Sequence, residues 1–253
     1  MKNYAQSSSF CITSLIGLLS VCLFLTMIVI LNGVFYPFVL LFLTAASLLS
    51  LLIVFSLSDI AVAFYEALKS LCFVPVKEKN IAEAIMHASE ITYTNSLLSL
   101  QKNYLQMYKG YDFWMTGLKL LLDGTSLEQC QKLMQKRMTL SYNRQMNFSS
   151  VLNVFAKNLF IFTFLCIGVL FMIEQSINLS LVLQLISYGV VLSFFILKPL
   201  SMKLKQNARQ VLANSTLCLI GFEAVDSGQN PRKTEEELNA LLPQGQQINY
   251  FEG

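Results

Sequence analysis

Ser180, Gln184, Ser187 and Tyr188 recur at steps of four, three and one within an otherwise apolar stretch, so a helix sets them on one face. Neutral hydroxyl and amide groups of this kind either line a path or partner surface or act as ordinary glue between helices. Thr163, in a neighbouring apolar stretch, adds one hydroxyl, which can equally bond to a carbonyl one turn earlier. Gly189 lets a second helix come close. Pro199 lacks an N–H and bends a helix, as a hinge or as a simple interface kink. The charges lie elsewhere: Asp59 and Glu66 share a face beside one apolar stretch, and Lys157 and Glu174 bound another. A proton path through a ~30 Å hydrocarbon core needs a titratable group near its middle. This chain offers none there, so conduction would require a carboxylate from a partner helix. His87, the single histidine, has no second ligand in view and reads as a surface residue. The six cysteines have no pairing or metal spacing. No nucleotide loop, nucleophile triad or metal-ligand cluster is recognisable, so we expect no enzyme, cofactor or metal.

The elements that must carry these residues follow from composition. Of 253 residues, 55% are hydrophobic and 13% charged, and mean hydropathy is +0.56. Those values lie well outside the range of soluble domains and make a membrane the natural solvent. About 20 apolar residues cross the core as a helix. Phe10 to Leu31 and Phe38 to Leu57 form one expected hairpin, and Asn158 to Ile173 and Leu179 to Leu197 a second. The third span is short, but Lys157 can extend its ammonium to the interface. The first span resembles a signal peptide only superficially, because it is long and a second span follows at once. Neither hairpin turn contains Lys or Arg, whereas Lys69 through Lys157 and Lys198 through Lys233 lie outside the hairpins. Positive charge stays on the cytoplasmic side. The expected fold is therefore all-α and polytopic, divided as 1–58 first hairpin, 59–157 cytoplasmic helical loop, 158–197 second hairpin and 198–253 cytoplasmic tail. The net charge of +3 fits anionic lipid without invoking nucleic acid.

Within the loop, Ile81 to Tyr108 contains neither Gly nor Pro and permits one long helix. A second, around Phe113 to Leu122, closes at Asp123-Gly124, and Ser126-Leu127-Glu128 opens a third. Trp114 reads as a packing anchor. In the tail, Leu204, Ala208, Val211, Ser215, Leu219 and Phe222 give a modest apolar face to pack on the loop helices. Gly228 to Pro231 ends that helix, and Thr234 with Glu237 fits a capping box for a last one ending at Leu242-Pro243. The Gln-rich end is expected to be disordered.

This order of parts resembles the MotA and PomA family of flagellar stator subunits. Gly228-Gln229-Asn230-Pro231-Arg232, Glu235-Glu236, Leu238 and Leu241-Leu242-Pro243 are similar to that family's tail. Leu121-Leu122-Asp123-Gly124 and Ser96-Leu97-Leu98-Ser99-Leu100 resemble its loop motifs, and Tyr188-Gly189 followed by Pro199 resembles its fourth span. The resemblance implies a homo-pentamer in the bacterial inner membrane, with both termini cytoplasmic. It surrounds a MotB-like single-span, peptidoglycan-binding partner and pushes a rotor protein of the flagellar switch, driven by ion flow. Together with the polar face read from spacing, it points to Thr163, Gln184, Ser187, Tyr188 and Gly189 as ion-path or partner-facing residues, to Pro199 as a hinge, and to Tyr93 and Gln101 as the rotor face. The chain also departs from the family. Lys157 stands near a family Pro, Leu185-Ile186 replace Thr-Thr, and Tyr93 and Gln101 replace an Arg and a Glu. These departures leave two alternatives open: a non-conducting structural or regulatory paralogue, or an envelope energiser of the ExbB or TolQ kind.

Overall fold

In the computed structural model the described residues are 37–72, 76–100, 111–173 and 179–250. The expected first span, Gln101 and Glu174 lie outside them. Numbered from the first described element, the helices are α1 (Pro37–Leu51), α2 (Leu57–Cys72), α3 (Glu78–Thr94), α4 (Asp112–Leu122), α5 (Leu127–Ile173), α6 (Leu179–Val190), α7 (Lys198–Ser227) and α8 (Pro231–Leu241). A π-helical turn, Val191–Leu197, joins α6 to α7. No strand occurs among the described residues. The chain divides into two compact units. One is built from 76–100, 111–143 and 208–250, the other from 37–72, 144–173 and 179–207.

The first unit has a core laid down by glycines and aromatic rings. α4 buries Trp114, Gly117, Leu118 and Leu121, and α7 supplies Phe222, which is fully buried. The indole of Trp114 stacks on the Phe222 ring at 5.0 Å with planes 7° apart. That stack is possible because Gly117 leaves the space into which the Phe222 ring fits, and Gly221 leaves room for Trp114 and Ile85. Trp114 is thus the packing anchor its sequence position suggested, and the tail helix does pack on loop helices.

The turns follow local chemistry. α4 stops at Asp123-Gly124, where Gly124 takes φ +84°. Thr125 N–H returns to Leu120 O and Gly124 N–H to Leu121 O, the paired bonds of a Schellman stop. Gly228, at φ +59°, ends α7 with the Gln229 N–H on Ala224 O.

Four expectations for the first unit need correction. The long helix over Ile81 to Tyr108 breaks after Thr94. Thr92 and Thr94 turn their hydroxyls onto carbonyls three and four residues back, which competes with helix propagation, and Ser96 follows at φ 153°. The cap of α8 is Asn230 rather than Thr234. Its side chain accepts from Arg232 N–H at 3.1 Å and Pro231 fills the first helical position, where a missing N–H costs nothing. Thr234 instead lies buried inside α8, 3.3 Å from the Ser89 hydroxyl of α3. The Gln-rich end is ordered as far as residue 250. Asn239 bonds both the N–H and the C=O of Ile248 at 2.8 Å, and the Tyr250 hydroxyl donates to Glu90 at 2.8 Å. His87, finally, is half-buried on α3 rather than a surface residue.

The second unit is apolar inside and out. Leu51, Ile60, Ala63, Ala67, Leu152 and Leu159 form part of its core. Yet Ile53, Phe164, Leu165 and Met172 stand exposed. Only 22% of the most apolar 18-residue window of the α5 helix is buried, whereas a core helix of a soluble protein would be mostly covered. Exposed apolar surface on this scale suits lipid or neighbouring protein. Among the described residues two helices, through Leu127–Met172 and Leu179–Ser227, are long and apolar enough to cross a membrane. The expected second span is shorter than its hydropathy suggests. α1 ends at Leu51, about 22 Å long at ~1.5 Å per residue, and a turn at Leu52 to Ser56 precedes α2. Ser56 makes that turn: its hydroxyl donates to Asp59 Oδ2 at 2.7 Å and accepts from Asp59 N–H at 3.2 Å. The Asp59 N–H on the Ser56 hydroxyl is the first half of a capping box, and the Asp59 carboxylate meets the Ser56 hydroxyl rather than its N–H. Asp59 is accordingly tied to the start of α2 by Ser56, and Glu66 pairs at the surface with Lys69 at 3.8 Å.

Candidate functional site

The polar residues of the expected spans converge in the second unit. Thr163 of α5 is 1% exposed and donates its hydroxyl to Leu159 O at 2.8 Å, so its bond is internal to its helix. Its side chain lies against Gly189 of α6, where any Cβ would collide with it. The third and fourth expected spans therefore meet at Thr163 and Gly189, and the glycine is required by that contact. On the same helix Gln184 and Tyr188 are buried within the single chain, while Ser187 is half-buried and donates to Gln184 O at 2.9 Å. The structure thus brings Thr163 and Gly189 together, while Gln184 and Tyr188 are buried on the same helix as Gly189, with Ser187 half-buried beside them.

Pro199 acts on this helix from below. Its ring cannot accept a normal turn around the carbonyl four residues back, and it has no N–H to offer. The helix widens instead: Lys198 N–H reaches Ser193 O, five residues back. Such a π-turn is a frequent mark of functional positions in helices. It aims Ser193, which sequence reasoning did not single out, at α5, where its hydroxyl donates to Ala156 O at 2.6 Å. Farther along, Ser149 and Ser201 form a reciprocal clasp. Each hydroxyl donates to the other's carbonyl, at 2.9 and 2.8 Å. Three serines therefore bolt α5 to the α6–α7 rod through backbone carbonyls. Small residues at helical spacing in two apolar helices were the available signal.

No carboxylate or lysine lies along α6 or its π-turn, nor on α5 between Asn158 and Ile173. Among the described residues no three His, Cys, Asp or Glu side chains gather in a way that could hold a metal. The arrangement offers neutral polar groups between two apolar helices, able to position a partner's charged group and unable to titrate in its place.

No family model matches the chain. It is 23% identical over 247 residues to the chemotaxis protein PomA of Vibrio alginolyticus, covering 92% of this chain and 96% of that protein. Over 172 residues it is 24% identical to motility protein A of Borreliella burgdorferi, 64% of this chain and 65% of that one. The chain is therefore similar to MotA and PomA proteins, along nearly its whole length in the case of PomA. Its fold agrees with the C. jejuni MotAB structure at a TM-score of 0.76, with 15% identity, covering 95% of this chain and 99% of that one. With the flagellar MotAB stator complex of Bacillus subtilis the values are 0.73, 18%, 94% and 99%. In this chain Tyr93 stands exposed near the end of α3. Of the residues replacing the family's Thr-Thr, Leu185 is buried at 3% exposure and Ile186 is exposed.

Proposed function

We propose that the chain is the ring-forming subunit of a flagellar stator, joined to a MotB-like single-span partner in the bacterial inner membrane. The observation that carries this reading is the extent of the likeness to PomA, which covers 92% of the chain and so takes in both compact units. Five copies would surround the partner, with both termini and the first unit on the cytoplasmic side, as the distribution of Lys and Arg requires. The partner's membrane carboxylate would titrate beside Thr163 and Gly189, because the chain's own α5 and α6 carry no group able to do so. Pro199 and the widened turn before it would pass the resulting movement along α7, and the face carrying Tyr93 and Gln101 would meet the rotor.

A second reading, a non-conducting or regulatory paralogue, is favoured by one specific feature. Apolar Leu185 and Ile186 stand where the family has two threonines, and uncharged Tyr93 and Gln101 stand where it has rotor-coupling charges. Co-expression with the single-span partner separates the readings. A stator subunit co-purifies at five copies to two and restores swimming to a strain lacking its own subunit. A paralogue enters mixed rings without restoring swimming.

A further inference from the structure

α5 and the π-turn enclose a small cavity of about 140 Å³ in the second unit, with Lys157 and Lys198 both on its lining. Ala156, Phe160 and Phe194 supply apolar wall, and Asn153 adds an amide. The widened turn shapes this place: Ser193 is tied to Ala156 O, and Phe194 meets Phe160 edge-on at 5.2 Å. Lys198 rests its ammonium 4.9 Å from the Phe194 ring centroid. The cavity lining contains no carboxylate. Ion pairs such as Lys69 with Glu66 and Lys233 with Glu237 involve neither cavity lysine. Both lysines are exposed.

Lys157 also heads an apolar rail. Ile161, Phe164 and Leu165 follow at steps of four, three and one, each more than half exposed, and Gly168 continues the same face. From Lys157 to Gly168 the helix rises about 16 Å at ~1.5 Å per residue, close to one leaflet of a ~30 Å core. Two cations at the mouth of an apolar cavity, with a leaflet-deep apolar face running from one of them, complement a phosphate that carries an acyl chain. Basic pockets between membrane helices bind anionic headgroups for this reason.

We propose that Lys157 and Lys198 form a binding site for an anionic phospholipid. Its phosphate lies between the two ammonium groups, and one acyl chain runs along Ile161, Phe164 and Leu165. This rests on the placement of the second unit in a membrane and is independent of torque generation, so a chain that failed to drive swimming could still hold the lipid.

The test uses the full-length protein, with its partner where one co-purifies, delipidated and titrated with phosphatidylglycerol or phosphatidylcholine under native mass spectrometry. Wild type should prefer phosphatidylglycerol. Lys157→Gln and Lys198→Gln should each weaken that binding about fivefold, and the double variant about thirtyfold, from the usual contribution of one basic residue near an anionic surface. Lys157→Arg with Lys198→Arg should retain the preference, and Lys205→Gln should leave it unchanged. A photo-crosslinking side chain at position 157 should label phospholipid in native membranes. Four results would each overturn the proposal: a double Gln variant that binds like wild type, equal binding of phosphatidylcholine, displacement of the lipid by inorganic phosphate alone, or crosslinking at position 157 confined to protein.

Discussion

Phe222 is the side chain on which the first unit's core depends, and Trp114 reports on it directly because it is the only tryptophan in the chain. Replacing Phe222 with Ala removes a fully buried ring and its stacking on Trp114 at 5.0 Å. Truncation of a buried Phe costs about 3–5 kcal/mol, of which about 0.5–1.5 kcal/mol belongs to the aromatic pair. Tryptophan emission of the detergent-solubilised protein should shift to the red, and the denaturant midpoint of the emission change should fall. The geometry also fixes the sign of a coupling. Gly117→Ala drives a methyl into the far edge of the Phe222 ring, an overpacking that costs about 1–3 kcal/mol. Phe222→Leu removes the ring atoms that the methyl would strike. The double variant Gly117→Ala with Phe222→Leu should therefore be more stable than the sum of the single effects allows, by about 1 kcal/mol or more. Unchanged emission in Phe222→Ala, or strict additivity in the double variant, would refute this description of the core.

Other expectations follow from single contacts. Ser56→Ala should destabilise the start of α2 by about 0.5–2 kcal/mol while Ser56→Asn loses little, measured as faster amide exchange over residues 57–60. Removing the serine clasp with Ser149→Ala and Ser201→Ala should cost about 0.5–1.5 kcal/mol per bond, the usual net value of an intramolecular hydrogen bond, seen as a lower unfolding midpoint; no change would mean the clasp is absent. Burial pushes the Cys218 thiol well above its ordinary range, and burial with the nearby Asp226 carboxylate raises Cys130. Both therefore stay protonated and unreactive to iodoacetamide at pH 8, where only a thiolate attacks. They should label only on unfolding, and folding stability should decline as the pH rises past the unfolded thiol's value, because the unfolded state then loses its proton first.

The parts of the fold readable in the sequence were those fixed by local chemistry. Asp123-Gly124 and Gly228 stop helices because glycine accepts positive φ, and Phe222 of the apolar repeat on the tail helix finds its partner in α4. Breaks inside apolar runs were hidden. Leu52, Ile53, Val54 and Phe55 look like a continuing span, and only the Ser56 and Asp59 pair, a Ser-x-x-Asp signal, announces a new helix. Non-local ties were hidden as well. The Gln-rich end is held by Asn239, Glu235 and Glu90, contacts that no local propensity encodes. At the site, the shared face of Gln184 and Tyr188 and the need for Gly189 were legible from spacing. That Thr163 is the side chain opposite Gly189, and that Pro199 acts through a widened turn carrying Ser193, required the packing of two helices.

Ion flux through liposomes tests the central claim most directly. The purified chain should pass no sustained proton or sodium current alone, because its α5 and α6 hold no mid-membrane carboxylate or lysine. Current should appear when the single-span partner is incorporated and vanish when that partner's membrane carboxylate becomes an amide. Sustained current from the lone chain, or no current from the complete complex, would contradict the account.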